Sequence, residues 1–307
     1  MAATEHAGDY ESYYVPHQSK IPIWIAFGLI TFMYGFGSWL NAIKSGGNSN
    51  LVLFLIGFGI VGVSLYIWFT TVIRENHAGM NSPQLARSYV WGMGWFIFSE
   101  VMFFAAFFGA LFYVRQFAVP WLGGEGDKGI AGQYLWEGFS PEWATGTNPS
   151  PYLPGPAETM AAPSSVSAWA GYLPLWNTII LLTSSFTVHF AHVGLKNRDR
   201  KKLIGWLSLT VLLGVVFLFL QVEEYIHAYE ELGLTLESGI YGSTFFILTG
   251  FHGFHVTLGT FMLAMMLVRA VKGHFRPDDH FAFEASSWYW HFVDVVWLGL
   301  FIFVYIV

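Results

Sequence analysis

Seven apolar stretches, each long enough to cross a lipid bilayer, dominate the sequence. A helix needs about 20 apolar residues to span roughly 30 Å of hydrocarbon. Only helices and closed barrels satisfy their backbone hydrogen bonds in lipid. The pattern therefore predicts an all-α integral membrane protein with seven transmembrane helices, at about 22–42, 51–73, 88–115, 174–195, 203–229, 239–269 and 281–306.

Composition restricts the function as well as the fold. The 307 residues are 54% hydrophobic and 11% charged, a balance that no ordinary soluble domain shows. The net charge of −6 and the lack of a basic patch outside the loop after the fourth span exclude nucleic acid as a partner. Because the chain has no Cys, a metal site would need His or carboxylate ligands.

The basic residues indicate how the spans are oriented. With a cytoplasmic N-terminus, eleven of them lie on the cytoplasmic side and only Lys44, Arg115 and Lys128 lie opposite. Cytoplasmic loops carry an excess of Lys and Arg, so the sequence predicts a cytoplasmic N-terminus and a periplasmic C-terminus. The eleven are Lys20, Arg74, Arg87, Lys196, Arg198, Arg200, Lys201, Lys202, Arg269, Lys272 and Arg276.

The sequence predicts three parts. Residues 1–21 form a cytoplasmic N-terminal segment, 22–73 a two-helix hairpin, and 74–307 a five-helix bundle with a long external loop at 118–173. The loop holds seven of the twelve prolines, so it is too irregular for another span. Its aromatic residues favour packing against a partner subunit; they include Trp121, Tyr134, Trp136, Trp143, Tyr152 and Trp169.

Glu100 lies at the centre of the apolar run from Tyr89 to Val114. An ionisable side chain at the bilayer midplane costs at least about 2.5–3.5 kcal/mol, so it is a functional candidate. In the sixth span, His252 and His255 reach a comparable depth from the opposite face. We therefore expect a neutral Glu100 hydrogen-bonded to His252 or His255.

His291 and Asp294 are three residues apart in the seventh span and hence share a helix face. They form either a buried hydrogen-bonded pair that anchors this helix, or two separate groups, each satisfied by a neighbouring backbone group or hydroxyl. Both interpretations are structural, and we prefer them to a proton path because polar groups in lipid must find partners. Glu223 and Glu224 are expected near the outer interface, where hydration makes a charge inexpensive.

Two pairs of histidines raise the question of a haem or copper site, because imidazole is a common ligand of both metals. The pairs are His189 with His192 and His252 with His255. A haem held between two helices needs small neighbouring residues, whereas phenylalanines flank both pairs. We therefore expect no metal on this chain.

Four sequence blocks resemble subunit III of the haem–copper cytochrome c oxidases. The resemblance covers the chain from about Ile21 to the C-terminus. It implies that spans one and two are separated from spans three to seven by a cleft filled with phospholipids, in a bacterial cytoplasmic membrane. The blocks are FIFSEVMFFAAFFGALF (96–112), WNTIILLTSSFTVHFAH (176–192), YGSTFFILTGFHGFHVTLGT (241–260) and HFAFEASSWYWHFVDVVWLGLF (280–301).

The resemblance implies a non-redox subunit of the terminal oxidase of aerobic respiration. That complex transfers electrons from cytochrome c to O2 and couples the transfer to proton pumping. Haem A and copper belong to subunits I and II, and subunit I packs directly on this chain. The implied role is to stabilise the catalytic subunit, bind phospholipid, and support proton uptake or oxygen access.

The resemblance also assigns roles to individual residues. Glu100 matches the carbodiimide-reactive carboxylate of the family, and Arg74 and Arg269 match basic residues that meet lipid headgroups. Charge-assisted contacts with phosphates are physically reasonable at both arginines. Where the segment 80–83 departs from the family pattern, His77 is a candidate replacement as a headgroup donor.

Three alternatives use the same features differently. Subunit III of a quinol oxidase commonly lacks the first two spans, which this chain has. A secondary transporter with Glu100 as proton carrier predicts helices broken by midspan Gly or Pro, but prolines here occur only at span ends. A free-standing haem-b protein predicts a visible absorption band from the isolated chain.

Overall fold

The structure is a computed structural model that describes residues 18–46, 50–80, 82–136, 139–144, 155–156, 158–277 and 279–307. Within these ranges the chain is helical and has no β-strand. Most of the predicted N-terminal segment 1–21, together with Tyr152, lies outside the described residues.

Nine α-helices follow one another along the described ranges, and seven helical segments are long and apolar enough to cross a membrane. The third segment continues from α3 through a π-helical turn at Val114–Ala118 into α4, and the seventh ends in a π-helical turn at Phe301–Ile306. The prediction of seven membrane spans is confirmed. The helices are α1 (Ile21–Ser45), α2 (Leu51–His77), α3 (Pro83–Tyr113), α4 (Val119–Leu122), α5 (Ile130–Leu135), α6 (Leu173–Lys196), α7 (Arg200–Glu230), α8 (Ile240–Val271) and α9 (Phe281–Leu300).

The chain divides into two compact units, Met1–Trp91 and Gly92–Val307. The first contains α1, α2 and the beginning of α3, and the second contains the remaining helices. The predicted boundary between residues 73 and 74, the lipid cleft and the orientation of the termini stay predictions.

In the first unit, α1 and α2 pack so closely that their backbones nearly touch. A Cβ atom at Gly57 would overlap the backbone of Phe32, and one at Gly35 would overlap the backbone of Phe54. Small residues at helix crossings allow this approach in membranes. Aromatic side chains fill the flanks of the crossing, with ring centroids 5.0 Å apart for Phe32 and Phe54 and 5.7 Å apart for Trp39 and Phe54.

In the second unit, α9 packs against both α6 and α8 and carries the largest buried side chains. Trp290 and Trp297 are fully buried. The Trp290 indole fits against Gly214 of α7 and Gly259 of α8, where an added Cβ would lie 2.9 Å and 2.8 Å from the ring. The two glycines therefore provide the space that the core tryptophan occupies.

The turn between α6 and α7 ends at Asp199, which caps α7. The Asp199 carboxylate accepts a hydrogen bond from the backbone N–H of Lys202 at 3.1 Å. This backbone bond and the nearby Lys202 ammonium hold the pKa of the Asp199 carboxyl below its usual value. A short three-residue connection therefore suffices to reverse the chain.

The described end of the long connection folds back onto the chain itself. The backbone N–H of Met160 donates to the Tyr241 hydroxyl at 3.1 Å, and the Tyr172 hydroxyl donates to the Met160 carbonyl at 2.9 Å. The backbone N–H of Ala162 donates to the Tyr305 carbonyl at 2.8 Å. Burial, with Glu224 nearby, raises the pKa of Tyr172 well above its usual value, so its hydroxyl stays a donor.

The aromatic residues of this connection are used in two ways. The Trp143 ring lies 5.7 Å from that of Tyr241, and Trp169 lies 5.6 Å from Tyr172, so both pack within the chain. Tyr134 on α5 is 84% exposed. The expected contact with a partner subunit stays a prediction.

The hairpin crossing predicts a position-specific effect of adding one methyl group. We expect Gly57→Ala to lower the thermal unfolding midpoint of the protein in detergent, because forcing helices apart costs about 1–3 kcal/mol. Gly59→Ala is the matched control, since a Cβ there meets no atom within 4 Å. The unfolding midpoints are measured by circular dichroism. Equal midpoints for the two variants would show that the close crossing is not stabilising.

Candidate functional site

A hydrogen bond between Glu100 of α3 and His255 of α8 connects two transmembrane helices. The distance between Glu100 Oε2 and His255 Nε2 is 2.9 Å. The side chains are 22% and 7% exposed, respectively. On its other side, His255 Nδ1 lies 2.6 Å from the backbone carbonyl oxygen of Phe251. The imidazole therefore lies between a carboxyl group and a carbonyl group.

This geometry restricts where the protons are. A carbonyl oxygen only accepts, so His255 Nδ1 carries a proton and donates it to Phe251. If the imidazole is neutral, its Nε2 has a lone pair and Glu100 must be protonated in order to donate to it. If Nε2 is also protonated, the contact is an ion pair between imidazolium and carboxylate. An ionised Glu100 facing a neutral imidazole would bring two lone pairs together.

The surroundings favour the neutral pair. Moving charges out of water costs several kcal/mol per ion, even where the ions are paired. The ring of His255 is enclosed by other rings, with the nearest centroid, that of Phe104, 5.0 Å away. We therefore keep the prediction that Glu100 is protonated. The enclosing residues are Phe103, Phe104, Phe254, Tyr289 and Phe292.

His252, the other candidate partner of Glu100, lies elsewhere. It is fully buried, and its ring packs 5.1 Å from that of Trp297 and 5.8 Å from that of Phe217. Neither ring nitrogen has a hydrogen-bond partner among the described residues. Of the two histidines expected at this depth, the structure therefore pairs only His255 with Glu100.

His291 and Asp294 lie on one face of α9, as their spacing predicts, but they are not hydrogen-bonded to each other. The distance from His291 Nδ1 to Asp294 Oδ2 is 3.7 Å, whereas His291 Nδ1 lies 2.7 Å from the Ser185 hydroxyl oxygen. Asp294 is buried, and the 3.7 Å between its Oδ2 and His291 Nδ1 is too long for a hydrogen bond. His291 therefore matches the interpretation in which a neighbouring hydroxyl satisfies it.

Hydroxyl groups on α6 hold the tryptophans of α9, an arrangement that the sequence analysis did not anticipate. Trp290 Nε1 donates to the Ser184 hydroxyl and Trp297 Nε1 donates to the Thr178 hydroxyl, both at 2.9 Å. With the Ser185–His291 contact, three α6 hydroxyls bond to side chains of α9. The Ser and Thr residues in the block 176–192 were the available signal, because such residues join helices in membranes.

The expectation that Glu224 lies in hydrated surroundings is wrong. Glu223 is exposed, but Glu224 is fully buried, and its Oε1 accepts a hydrogen bond from the Tyr305 hydroxyl at 2.5 Å. The position of Glu224 near the end of α7 indicated an interface, whereas the C-terminal turn at Phe301–Ile306 brings Tyr305 against it. Glu224 is thus a second buried carboxyl that joins two helical segments.

The three residues assigned to lipid headgroups lie at helix ends. Arg74 and His77 lie in the last turn of α2, and both are exposed. Arg269 lies in the last turn of α8, with its guanidinium carbon 4.8 Å from the centre of the Phe275 ring. Cations at helix C-termini also interact favourably with the helix dipole. Lipid binding by these residues stays a prediction.

The tryptophan contacts predict that one α6 hydroxyl matters more than another. We expect Thr178→Val to lower the thermal unfolding midpoint, because a buried indole N–H without an acceptor costs about 1–3 kcal/mol. Thr183→Val is the control, since the Thr183 hydroxyl is exposed and bonds only to its own helix at Ile179. Comparable midpoints in the two variants would argue against the Trp297 contact.

Comparison with known proteins agrees with the resemblance. The model of the family "Cytochrome c oxidase subunit III" matches residues 11–125 and 162–307. The intervening residues 126–161 belong to the long connection. All seven membrane spans of the structure therefore fall within the matched ranges.

Several similar relatives are each named cytochrome c oxidase subunit 3. The relative from Tetraodon nigroviridis is 36% identical over 306 residues, which covers 99% of this chain and 98% of the relative. That from Hippopotamus amphibius is 35% identical over 295 residues, covering 96% of both chains. That from Scyliorhinus canicula is 36% identical over 294 residues, covering 95% of this chain and 96% of the relative. The chain belongs to the cytochrome c oxidase subunit III family, as a multi-pass membrane subunit of that oxidoreductase complex.

Proposed function

We propose that this chain is a non-redox subunit that stabilises the catalytic subunit of the oxidase, and that Glu100 is a structural anchor within it. In this proposal, subunits I and II hold haem A and copper, subunit I packs directly on this chain, and cytochrome c donates electrons to the complex. The observation that supports the anchor role best is the series of two hydrogen bonds from Glu100 through His255, which ends at the backbone carbonyl of Phe251.

A proton relay needs groups that both accept and release protons. From Glu100 the hydrogen bonds lead to His255 and then to the carbonyl oxygen of Phe251, which accepts but has no proton to release. The Glu100–His255 contact therefore fixes α3 against α8, and these two hydrogen bonds give a proton no onward path. This supports an anchor and makes proton transfer through Glu100 secondary.

Phospholipid binding is supported by a groove on the hairpin. Its volume is about 460 Å³, and its lining is almost wholly apolar, including Trp24 of α1 and Ile60 and Ile67 of α2. Arg74 lies seven residues after Ile67, two helical turns along the same side of α2. An acyl chain in the groove with its phosphate near Arg74 and His77 fits this arrangement.

Access of oxygen is the second part of the role. O2 is apolar, so aromatic surfaces suit its passage better than a charged path. Beside the Glu100–His255 contact, Phe103 lies 4.9 Å from Phe107 and 5.0 Å from Phe251, measured between ring centroids. We infer support for proton uptake from the family resemblance and not from this aromatic cluster.

The proposed location is a bacterial cytoplasmic membrane, with the N-terminus in the cytoplasm. The support is the uneven distribution of basic residues, with eleven on one side and three on the other. The relatives described above come from vertebrates, so the bacterial setting is our inference from the resemblance.

Two substitutions at Glu100 separate an anchor from a proton carrier. The amide N–H of a glutamine can still donate to His255, so we expect Glu100→Gln to leave proton uptake and the working lifetime of the complex unchanged. Glu100→Leu removes the donor and leaves His255 unsatisfied at a cost of about 1–3 kcal/mol. The complex with Glu100→Leu should complete fewer turnovers before inactivation, while its initial proton uptake stays normal.

The control is Glu223→Gln, which alters an exposed carboxylate on α7. Proton uptake and turnover lifetime are measured on the purified complex reconstituted in vesicles. If Glu100→Gln slows proton uptake while Glu223→Gln does not, Glu100 carries protons and the anchor proposal fails.

A further inference from the structure

Outside the Glu100 site, two histidines and one glutamate converge where α6 ends and α9 begins. His192 lies in the penultimate turn of α6, His280 immediately precedes α9, and Glu284 lies in the first turn of α9. Their side chains are 19%, 10% and 29% exposed, respectively. Of the residues that the structure describes, this is the one group with three donor atoms close enough to share a metal ion.

The three donor atoms form a nearly equilateral triangle. His192 Nε2 and His280 Nε2 are 3.3 Å apart, and they lie 3.3 Å and 3.2 Å, respectively, from Glu284 Oε1. In a tetrahedral zinc site with bonds of about 2.0–2.1 Å, neighbouring ligand atoms are about 3.3–3.4 Å apart. The observed separations therefore match three corners of a zinc coordination tetrahedron.

Protons alone cannot satisfy all three contacts. If both Nε2 atoms are protonated, both N–H groups donate to Glu284 Oε1 and no hydrogen bond joins the two nitrogens, which are 3.3 Å apart. If only one is protonated, at least one remaining contact brings two lone pairs together. A cation among the three atoms accepts a lone pair from each, so it uses all three contacts at once.

The ligand types select the metal. Two imidazoles and one carboxylate are a known zinc ligand set with an open fourth position for water, whereas Mg²⁺ and Ca²⁺ prefer oxygen ligands. Lys196, one turn after His192, opposes a cation, but its side chain is exposed and its charge is screened.

We propose that His192, His280 and Glu284 bind one zinc ion, which joins the end of α6 to the beginning of α9. The expectation of no metal rested on the phenylalanines that flank the pair His189 and His192 and the pair His252 and His255. His189 is exposed and does not share the cluster. The ligand partners of His192 come instead from residues 88 and 92 positions later in the chain.

The test is zinc binding to the purified oxidase complex. The complex is treated with a chelator and dialysed against radioactive Zn²⁺ with excess Mg²⁺. We expect wild type to bind one Zn²⁺ more than Glu284→Gln or His192→Gln. Loss of a direct ligand should weaken binding by at least the roughly 10- to 100-fold that loss of an outer-shell partner causes. His189→Gln, on the exposed face of α6, should bind zinc as wild type does.

Equal zinc binding by wild type and both ligand variants would overturn the proposal. If a variant complex does not assemble, X-ray absorption at the zinc edge of the wild-type complex decides instead. Two imidazole nitrogens with oxygen and no sulfur around the zinc support the site. A zinc environment with fewer than two imidazoles, or no retained zinc, contradicts it.

Discussion

The hydrogen bond between Glu100 and His255 is a polar contact that joins α3 to α8. A carboxyl group within a membrane span must find a partner, because lipid offers none. Here the partner lies on α8, and its second nitrogen is occupied by the carbonyl of Phe251. Aromatic residues beside the pair also pack α3 against α8 and α9. Polar pairing and aromatic packing thus stabilise the same interface.

The same principle recurs around α9. In lipid, apolar side chains gain little by leaving the solvent, so helices associate through close packing and hydrogen bonds. Trp290 combines both, since its ring packs on Gly214 and Gly259 while its N–H bonds to Ser184. At the end of α7, Glu224 bonds to Tyr305 in a similar way. If the proposed zinc site forms, it adds a third kind of link between α6 and α9.

The seven membrane spans were predictable from the sequence because they depend on a local feature, the length of the apolar runs. The choice between His252 and His255 depended on helix rotation, which hydropathy does not report. Glu224 was misplaced because its burial comes from Tyr305, a residue 81 positions later. The cluster of His192, His280 and Glu284 was missed for the same reason, since long-range contacts form it.

The protonation state of Glu100 tests the central claim most directly. Infrared difference spectroscopy of the purified complex distinguishes the carbonyl stretch of a protonated carboxyl from the stretch of a carboxylate. The neutral pair predicts a protonated carboxyl signal throughout the neutral pH range that disappears in Glu100→Gln and persists in Glu223→Gln. A carboxylate signal assigned to Glu100 over that range would contradict the neutral pair.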